Sequence, residues 1–474
     1  MRLALGFHRA GVATTGLAAR YLYTRFYASL EEVLAAALVQ APGLGATAAA
    51  RDRELARSGL SPDRRFLLAH ATHSYLGSTQ LLAQEGRPLW VVNEGEYRMM
   101  NTFDLTVDHL FHELRFHPWT VRNTLDLFAN RYSFRDETQD VRGGRRRHPG
   151  GLSFTHDMGV ANQFSAPGTS SYERAELTGC FSHMTHEQLV NWVLCGASYG
   201  RLAPDPGWLV RRSGVFRDCL ESLLNRDHHL PARRNGIMRY DSSRCGATGE
   251  EITTYDSLDT SLGQARANLY LAVKTWAAYL ALETVFGSLR MPGRARTARS
   301  AARRTARAVA ARLDRRAGFI PAVFEGGNRS RIIPAAEGLV FPHFLGLKAA
   351  VSPRGPYGAL IRALIRHLRT VLRSGVCVDS RSGGWKMSST SENTWMSKIA
   401  LSQYVVERVL KLRFPAAVRR GWDAAHARWQ REGGCADFAF TDQIRSRDGK
   451  DLGSRYYPRG VTAVLWLPER LRCR

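Results

Sequence analysis

A long succession of helical segments constrains the fold of this 474-residue chain most strongly. From Ser29 onward, apolar residues recur at helical spacing, and short turns containing Gly or Pro separate most of the segments. Helices are predicted at 31–40, 46–58, from 62 onward, and at 103–113, 119–130, 185–199, 206–225, 261–286, 294–316, 356–372, 394–412 and 416–432. Strand signals are few and short, at 318–324 and 461–467. The sequence therefore predicts one large all-α domain, and about a dozen paired helices favour an α/α toroid with a pocket formed by loops at one end.

The strongly basic composition is not evidence for nucleic-acid binding. The formal net charge is +25, but of the 67 basic residues 61 are Arg and only 6 are Lys. This skew indicates the codon usage of a GC-rich genome, and the Arg residues are scattered through most of the chain. We therefore expect no nucleic-acid partner.

The cysteines and the apolar windows indicate a cytoplasmic protein. The 7 cysteines are odd in number and widely spaced, without a Cys-x-x-Cys pair, which suits a reducing compartment. The apolar run at 3–7 is too short for the core of a signal peptide. The most apolar helical window, 269–286, contains Lys274 and Glu283, so we expect no transmembrane helix and no membrane partner.

The segment 90–109 concentrates carboxylates among aromatic and apolar side chains. Glu94 and Glu96 flank a glycine, which lets the backbone turn sharply close to a ligand, and Asp104 and Asp108 follow four residues apart. Such a segment is either a solvated loop leading into a charged helix or a site for acid/base or nucleophilic chemistry on an uncharged substrate. The apolar neighbours favour the second interpretation, because a carboxylate held against apolar surface has its charged form disfavoured.

A second acidic cluster, 252–259, precedes the predicted helix 261–286. Asp259 fits the role of an N-cap, whereas Asp256, one turn earlier and beside Tyr255, is better placed to point into a pocket. Loops rich in Trp, Asn, Asp and Arg match what a sugar site needs, because aromatic faces stack on the ring and polar groups bond its hydroxyls. The candidate substrate-binding residues are Trp90, Asn93, Glu94, Arg98, His156, Asp157, Asp241 and Arg244.

Signatures of metal or cofactor enzymes are weak or missing. Histidine pairs occur at helical spacing, at 70 and 73, 109 and 112, and 183 and 186, but a metal site needs a third ligand. The run from His112 to His117 is one residue longer than a His-Glu-x-x-His motif. The sequence has no Gly-x-Ser-x-Gly motif, Walker loop or dinucleotide fingerprint. We therefore expect neither a metal nor a cofactor.

Five long motifs resemble glycoside hydrolase family 52, the bacterial β-xylosidases. They are 90–109, 151–162, 177–195, 235–274 and 456–467, and the likeness runs from about residue 4 to about residue 467. The resemblance implies an (α/α)6 barrel with a retaining, exo-acting site that releases xylose from the non-reducing ends of xylo-oligosaccharides. It implies Glu96 as nucleophile and Asp256 as general acid/base, with Glu94 and Asp259 as the alternates.

The same resemblance bears on domain organisation. Family members carry an N-terminal β-sandwich domain, so the resemblance implies that residues 1–28 are a junction segment from a missing sandwich domain and that 29–474 form the catalytic barrel. A truncated, catalytically weak or non-catalytic sugar-binding toroid is therefore an alternative to an active β-xylosidase. A related exo-β-glycosidase, such as a β-glucosidase, is a further alternative to a β-xylosidase. The expected partner is a small xylo-oligosaccharide, and a homodimer is compatible with this interpretation.

Overall fold

The computed structural model describes residues 3–173, 180–203 and 205–468 and is mainly helical. This confirms the predicted helical class. The α-helices are α1 (Leu30–Ala56), α2 (Pro62–Gly77), α3 (Phe103–Phe116), α4 (Pro118–Arg131), α5 (Thr185–Leu202), α6 (Pro206–Arg211), α7 (Ser213–Asp227), α8 (Leu269–Ser288), α9 (Pro292–Ala311), α10 (Val340–Phe344), α11 (Gly358–Val371), α12 (Met396–Tyr404) and α13 (Ala416–Arg431). Short 3₁₀ turns and one π-helical turn, Val405–Val409, connect several of them.

The strands form small antiparallel sheets at the ends of the helices. They are β1 (Arg20–Tyr21), β2 (Thr79–Gln84), β3 (Arg87–Val92), β4 (Ser133–Asp140), β5 (Arg146–Phe154), β6 (Gly159–Val160), β7 (Gln163–Phe164), β8 (Asp241–Ser242), β9 (Asn393–Trp395), β10 (Gln443–Arg445) and β11 (Asp451–Gly453). The sheet orders are β1-β2-β3, β5-β4-β8, β11-β10-β9 and β6-β7. The hairpin β2–β3 turns at Glu85 and Gly86, both with positive φ, which is the backbone that a tight two-residue hairpin requires.

Helix α8 forms the centre of the core. It is apolar on every side and buried over most of its length, as expected for a helix surrounded by other elements. Helix α9 covers it with a one-sided face of small residues and presents Arg to solvent. The single charged side chain in the buried part of α8, Lys274, lies between Glu187 and Glu337 at 3.4 and 3.7 Å. A buried ammonium is tolerated there because two carboxylates pair with it.

Neither of the two predicted strands, 318–324 and 461–467, is a strand in the structure. Residues 461–467 lie mostly in a 3₁₀ helix, Pro458–Trp466, in which every residue is buried. Residues 318–324 are irregular except for a bridge between Val323 and Asn268. A short apolar run that is buried on all sides has the composition of a core strand. Because such a run shows no alternation, its sequence does not distinguish a strand from another buried conformation. The strand β5, by contrast, lies where the sequence predicted no strand.

Helix α1 departs from the predicted pattern. The Ser29 side chain caps it by accepting from the Glu32 amide, but the helix continues through Pro42 where two shorter helices were predicted. None of its residues is buried. By length and composition it is long and apolar enough to cross a membrane, with an 18-residue window of mean hydropathy 1.5. The sequence analysis missed this window because it split the segment at Pro42. The expectation of no transmembrane helix stays a prediction, because length and composition by themselves place no helix in a membrane.

Segments distant in sequence converge at one end of the helical body. β3 leads into 93–102, β5 leads into 155–158, and a 3₁₀ turn at Thr254–Ser257 precedes α8. Met100 and Phe103 donate backbone hydrogen bonds to Gly159 and His156, which ties the first two segments together. The C-terminal 3₁₀ helix packs against α2, α3 and α12 and brings Tyr457 and Arg459 to the same place.

Candidate active site

A cavity of about 450 Å³ lies where these segments meet. This volume is in the range of roughly 300–1,000 Å³ that is usual for small-ligand sites. Its described lining residues are Glu94, Tyr97, Met99, Asp104, His156, Tyr172, Phe181, Met184, Thr254, Ser257, Trp395, Gln443, Ser454, Tyr457 and Arg459. Aromatic and apolar side chains alternate with carboxylates in this wall, as in a site that binds an uncharged polar ring.

Glu94 is the buried one of the two glutamates that flank Gly95. Its side chain accepts hydrogen bonds from Thr102 Oγ1 and from the Tyr457 hydroxyl, each at 2.6 Å. Burial, followed by the negative charge of Asp104, raises the pKa of Glu94 to about 7. The two hydroxyl donors and the charge of His156 oppose this rise. Glu94 is therefore a carboxyl group that changes its protonation near neutral pH.

The turn after Glu94 depends on Gly95. Its φ is +48°, and a Cβ at this position would overlap the backbone carbonyl oxygen of Arg455. The glycine therefore allows the motif to pass close against the segment that carries Tyr457. This is the physical reason for a glycine between the two glutamates.

Glu96 lies outside the described lining of the cavity. It is exposed, its Oε1 accepts from the Arg455 backbone amide at 3.1 Å, and its Oε2 lies 3.5 Å from Arg455 Nη1. Of the two glutamates that the sequence left open, the structure thus places the alternate, Glu94, in the cavity wall.

Asp104, His156 and Asp157 form a buried row beside Glu94. His156 Nδ1 lies 2.9 Å from Asp157 Oδ2, and His156 Nε2 lies 3.5 Å from Asp104 Oδ1. Burial opposes the charged imidazolium, but the hydrogen bond to Asp157 and the surrounding carboxylates raise the pKa of His156 to about 9. Burial likewise opposes ionisation of Asp104, but His156 and Arg459 outweigh it and lower its pKa. The predicted candidates His156 and Asp157 are thus brought to the site, His156 in the wall and Asp157 behind it.

The second acidic cluster is anchored to the same wall through Thr254. Its Oγ1 donates to Asp104 Oδ2 at 2.7 Å, and its backbone amide donates to Glu187 Oε2 at 2.9 Å. Asp256 is not among the described lining residues, but Thr254 and Ser257 on either side of it are. The Asp256 carboxyl is half-buried, and burial raises its pKa.

Asp259 has a structural role. Its carboxylate accepts hydrogen bonds from Ser388, Thr390 and the Ser261 amide, and it caps the turn Thr260–Leu262. Burial opposes ionisation, but these donors outweigh it and lower the pKa of Asp259. Asp259 thus caps a short 3₁₀ turn, whereas the helix that was predicted from 261 begins at Leu269 and is capped by Asn268.

Five further predicted residues do not contribute to the described wall of the cavity: Trp90, Asn93, Arg98, Asp241 and Arg244. Trp90 packs edge-on against Trp119, and Arg98 is an exposed residue with φ of +58° that ends a 3₁₀ turn. Asp241 is buried against Arg266, and Arg244 pairs with Glu173 and lies over the Phe134 ring.

The sequence analysis missed several wall residues as candidates, chiefly Trp395, Tyr457 and Arg459. Arg459 Nη2 lies 2.9 Å from Asp442 Oδ2, and its guanidinium lies 4.4 Å from the centre of the Trp395 ring. The run Tyr456 to Gly460 is part of a motif that carries the family resemblance. The sequence did not predict the contact between Tyr457 and Glu94, because the two residues are 363 positions apart along the chain.

No group of three or more His, Cys, Asp or Glu with the arrangement of a metal site occurs among residues 3–173, 180–203 and 205–468. The cysteines in this part of the chain are buried and free, namely Cys180, Cys195, Cys219, Cys245, Cys377 and Cys435.

Comparison with known proteins relates the chain to the glycosyl hydrolases. The family model described as "Glycosyl hydrolase family 52" matches residues 1–199. A "Beta-xylosidase" of Geobacillus stearothermophilus is 50% identical over 468 residues, which is 99% of this chain and 65% of that protein. A second "Beta-xylosidase" of the same organism is 49% identical over 266 residues, covering 56% of this chain and 43% of that protein. These similarities agree with the resemblance to family 52 that the motifs carry, and the chain spans 65% of the length of the first relative and 43% of the second.

A solved structure of D-mannose isomerase shares the helical fold. The TM-score is 0.51 at 10% identity, and the match covers 86% of this chain and 99% of the isomerase chain. At this identity the similarity concerns the fold alone.

Proposed function

We propose that this chain is a retaining, exo-acting β-xylosidase that releases xylose from the non-reducing ends of xylo-oligosaccharides. The observation that carries the proposal is Glu94, a buried carboxylate held by two hydroxyl donors in the wall of a sugar-sized cavity. The name of the relatives that are about half identical to this chain supports the choice of sugar. Within the helical fold, we propose an (α/α)6 barrel with this cavity at one mouth.

Glu94, rather than Glu96, is the nucleophile in this proposal. A nucleophile has to reach the anomeric carbon of a sugar in the cavity, and Glu94 is the one of the two that lines it. The hydroxyl groups of Thr102 and Tyr457 orient the Glu94 carboxylate and stabilise its charged form.

Asp256, rather than Asp259, is the general acid/base. A general acid must be protonated before the reaction, and Asp256 is half-buried with a raised pKa, whereas Asp259 is held ionised by its donors. Within residues 3–173, 180–203 and 205–468, no hydrogen-bond partner occupies the Asp256 carboxyl. A free carboxyl between two lining residues, Thr254 and Ser257, is suited to protonate a leaving group.

The reaction follows double displacement. Ionised Glu94 forms a bond to the anomeric carbon while Asp256 transfers its proton to the glycosidic oxygen, which leaves with the aglycone. Ionised Asp256 then takes a proton from water, the hydroxyl oxygen attacks the anomeric carbon, and the bond to Glu94 breaks. Xylose leaves with its configuration retained. The half-apolar wall excludes bulk water and strengthens the electrostatic interactions with the reacting carbon.

The test is the stereochemistry and sugar preference of hydrolysis. Purified protein is incubated with xylobiose in an NMR tube, and the first product is expected to be β-xylose, which then mutarotates. p-Nitrophenyl β-xyloside should be hydrolysed faster than p-nitrophenyl β-glucoside. First appearance of α-xylose would contradict the retaining mechanism, preference for the glucoside would make the chain a β-glucosidase, and binding of xylobiose without turnover would leave a sugar-binding toroid.

A further inference from the structure

His156 is enclosed by negative charge. Both ring nitrogens face carboxylates, Asp157 at 2.9 Å and Asp104 at 3.5 Å, and the side chain is nearly inaccessible to solvent. Asp157 is itself held in place, because its Oδ1 accepts the backbone amides of Gly159 and Ser171, each at 2.9 Å. His156 Nδ1 is within hydrogen-bond distance of Asp157 and Nε2 lies near Asp104, so negative charge on both sides of the ring favours the doubly protonated, positively charged imidazolium.

Apart from His156, the described groups that face Glu94 are negatively charged or neutral. In the described part of the chain these groups are Asp104 on α3, the hydroxyl groups of Tyr172 and Tyr457, and His156 after β5. His156 is the cation among them that acts on Glu94. Arg459, which also lines the cavity, and Lys398 are paired with other carboxylates, namely Asp104, Asp108, Glu337 and Asp442. Glu94 thus depends on His156 for compensation of its own charge.

We propose that His156 is a positioning residue that acts through Glu94: fixed as an imidazolium between Asp104 and Asp157, it keeps the Glu94 carboxylate ionised and ready for attack. This proposal rests on Glu94 being the nucleophile. It assigns the row Asp104–His156–Asp157 an electrostatic role in place of the substrate binding that the sequence suggested. Without the imidazolium, Glu94 would lie beside Asp104 with no cation against it, and protonation of Glu94 would relieve the repulsion.

The experiment uses 2,4-dinitrophenyl β-xyloside, whose leaving group needs no acid assistance, so that kcat/KM follows ionisation of the nucleophile. For the native protein, kcat/KM is expected to rise with pH with a midpoint at about 7. In His156→Gln the midpoint is expected to move upward by at least about half a pH unit, while KM above the new midpoint stays within about twofold. His156→Lys, which restores a cation, should return the midpoint toward the native value. Asp157→Asn, which keeps the histidine but weakens its hold on the proton, should shift it upward by less.

The matched control is His426→Gln. His426 is also buried, accepts a hydrogen bond from the Trp385 amide at 2.9 Å, and lies outside the described wall of the cavity. This control should leave the midpoint unchanged. If His156→Gln raises KM with an unmoved midpoint, His156 binds substrate and the proposal fails; equal midpoints for all variants overturn it as well.

A second readout does not depend on activity. The protein is labelled with ¹³C at the Glu side-chain carboxyl, and the Glu94 signal is identified by its loss in Glu94→Gln. Its titration midpoint should be near 7 in the native protein and higher in His156→Gln. An unshifted Glu94 signal overturns the role of His156, whereas a shifted signal in a protein that hydrolyses no xyloside would fail the proposed function alone.

Discussion

At the scale of single residues, the environment of a side chain decides between candidates that the sequence leaves equivalent. Glu94 and Glu96 are two positions apart, yet one is buried between hydroxyl donors and the other pairs with an exposed arginine. Gly95 lies between them in the turn, and only Glu94 lines the cavity, whereas Glu96 contacts Arg455. Burial then gives Glu94 a pKa that an exposed glutamate does not have.

Glu94 should reduce the stability of the folded protein above neutral pH. Its pKa is raised from 4.5 to about 7 on folding, so its stabilising contribution is complete below pH 4.5 and is lost as the pH rises through 7. Glu94→Gln removes the cost of ionising this buried group. The free energy of unfolding of the variant, relative to that of the native protein, should therefore rise by on the order of 3 kcal/mol as the pH increases from below the unfolded pKa to above the folded pKa. Urea unfolding at about pH 4.5 and pH 8 measures this gain. An equal difference at both pH values would contradict the pKa of Glu94.

At the scale of elements, two neighbouring 3₁₀ turns give their aspartates, Asp256 and Asp259, different environments. The turn Thr254–Ser257 is fixed by hydrogen bonds from Thr254 to Asp104 and Glu187 and from the Tyr255 hydroxyl to Glu337. The turn Thr260–Leu262 is capped by Asp259. The first turn carries Asp256, the proposed general acid/base, which has no hydrogen-bond partner among the described residues, while the Asp259 carboxylate of the second turn accepts hydrogen bonds from Ser388, Thr390 and Ser261.

Replacing each aspartate by alanine should separate the two roles. Asp256→Ala should lower kcat/KM for xylobiose roughly 10²–10⁴-fold while retaining most activity on 2,4-dinitrophenyl β-xyloside, because only the poor leaving group needs a proton. Asp259→Ala should keep activity on both substrates comparable and lower the free energy of unfolding by roughly 1–3 kcal/mol, since it leaves the buried Ser388 hydroxyl without this acceptor. Steady-state rates and urea unfolding of both variants provide the measurement. The assignment would be reversed if Asp256→Ala lowered activity on xylobiose and on 2,4-dinitrophenyl β-xyloside equally, or if Asp259→Ala lowered activity on xylobiose alone.

At the scale of the whole molecule, the sequence predicted the helices better than the contacts between distant segments. Helix positions followed mainly from periodicity, and in the structure the Ser29 and Ser61 side chains accept backbone amides at the starts of α1 and α2. The strand predicted at 461–467 failed because burial on all sides leaves no alternation to distinguish a strand from a 3₁₀ helix. Periodicity likewise carries no information about Tyr457 reaching Glu94, a contact between residues 363 positions apart.

The central claim, that Glu94 is the nucleophile, is tested most directly by azide rescue of two variants. Glu94→Ala should lose roughly 10⁴-fold or more in kcat/KM on 2,4-dinitrophenyl β-xyloside, and sodium azide should restore turnover by attacking from the vacated side. The product should be α-xylosyl azide, with inverted configuration. The matched variant Glu96→Ala, which removes an exposed pair with Arg455, should keep most of its activity and form no azide product. Rescue of Glu96→Ala by azide, together with activity retained in Glu94→Ala, would contradict the claim.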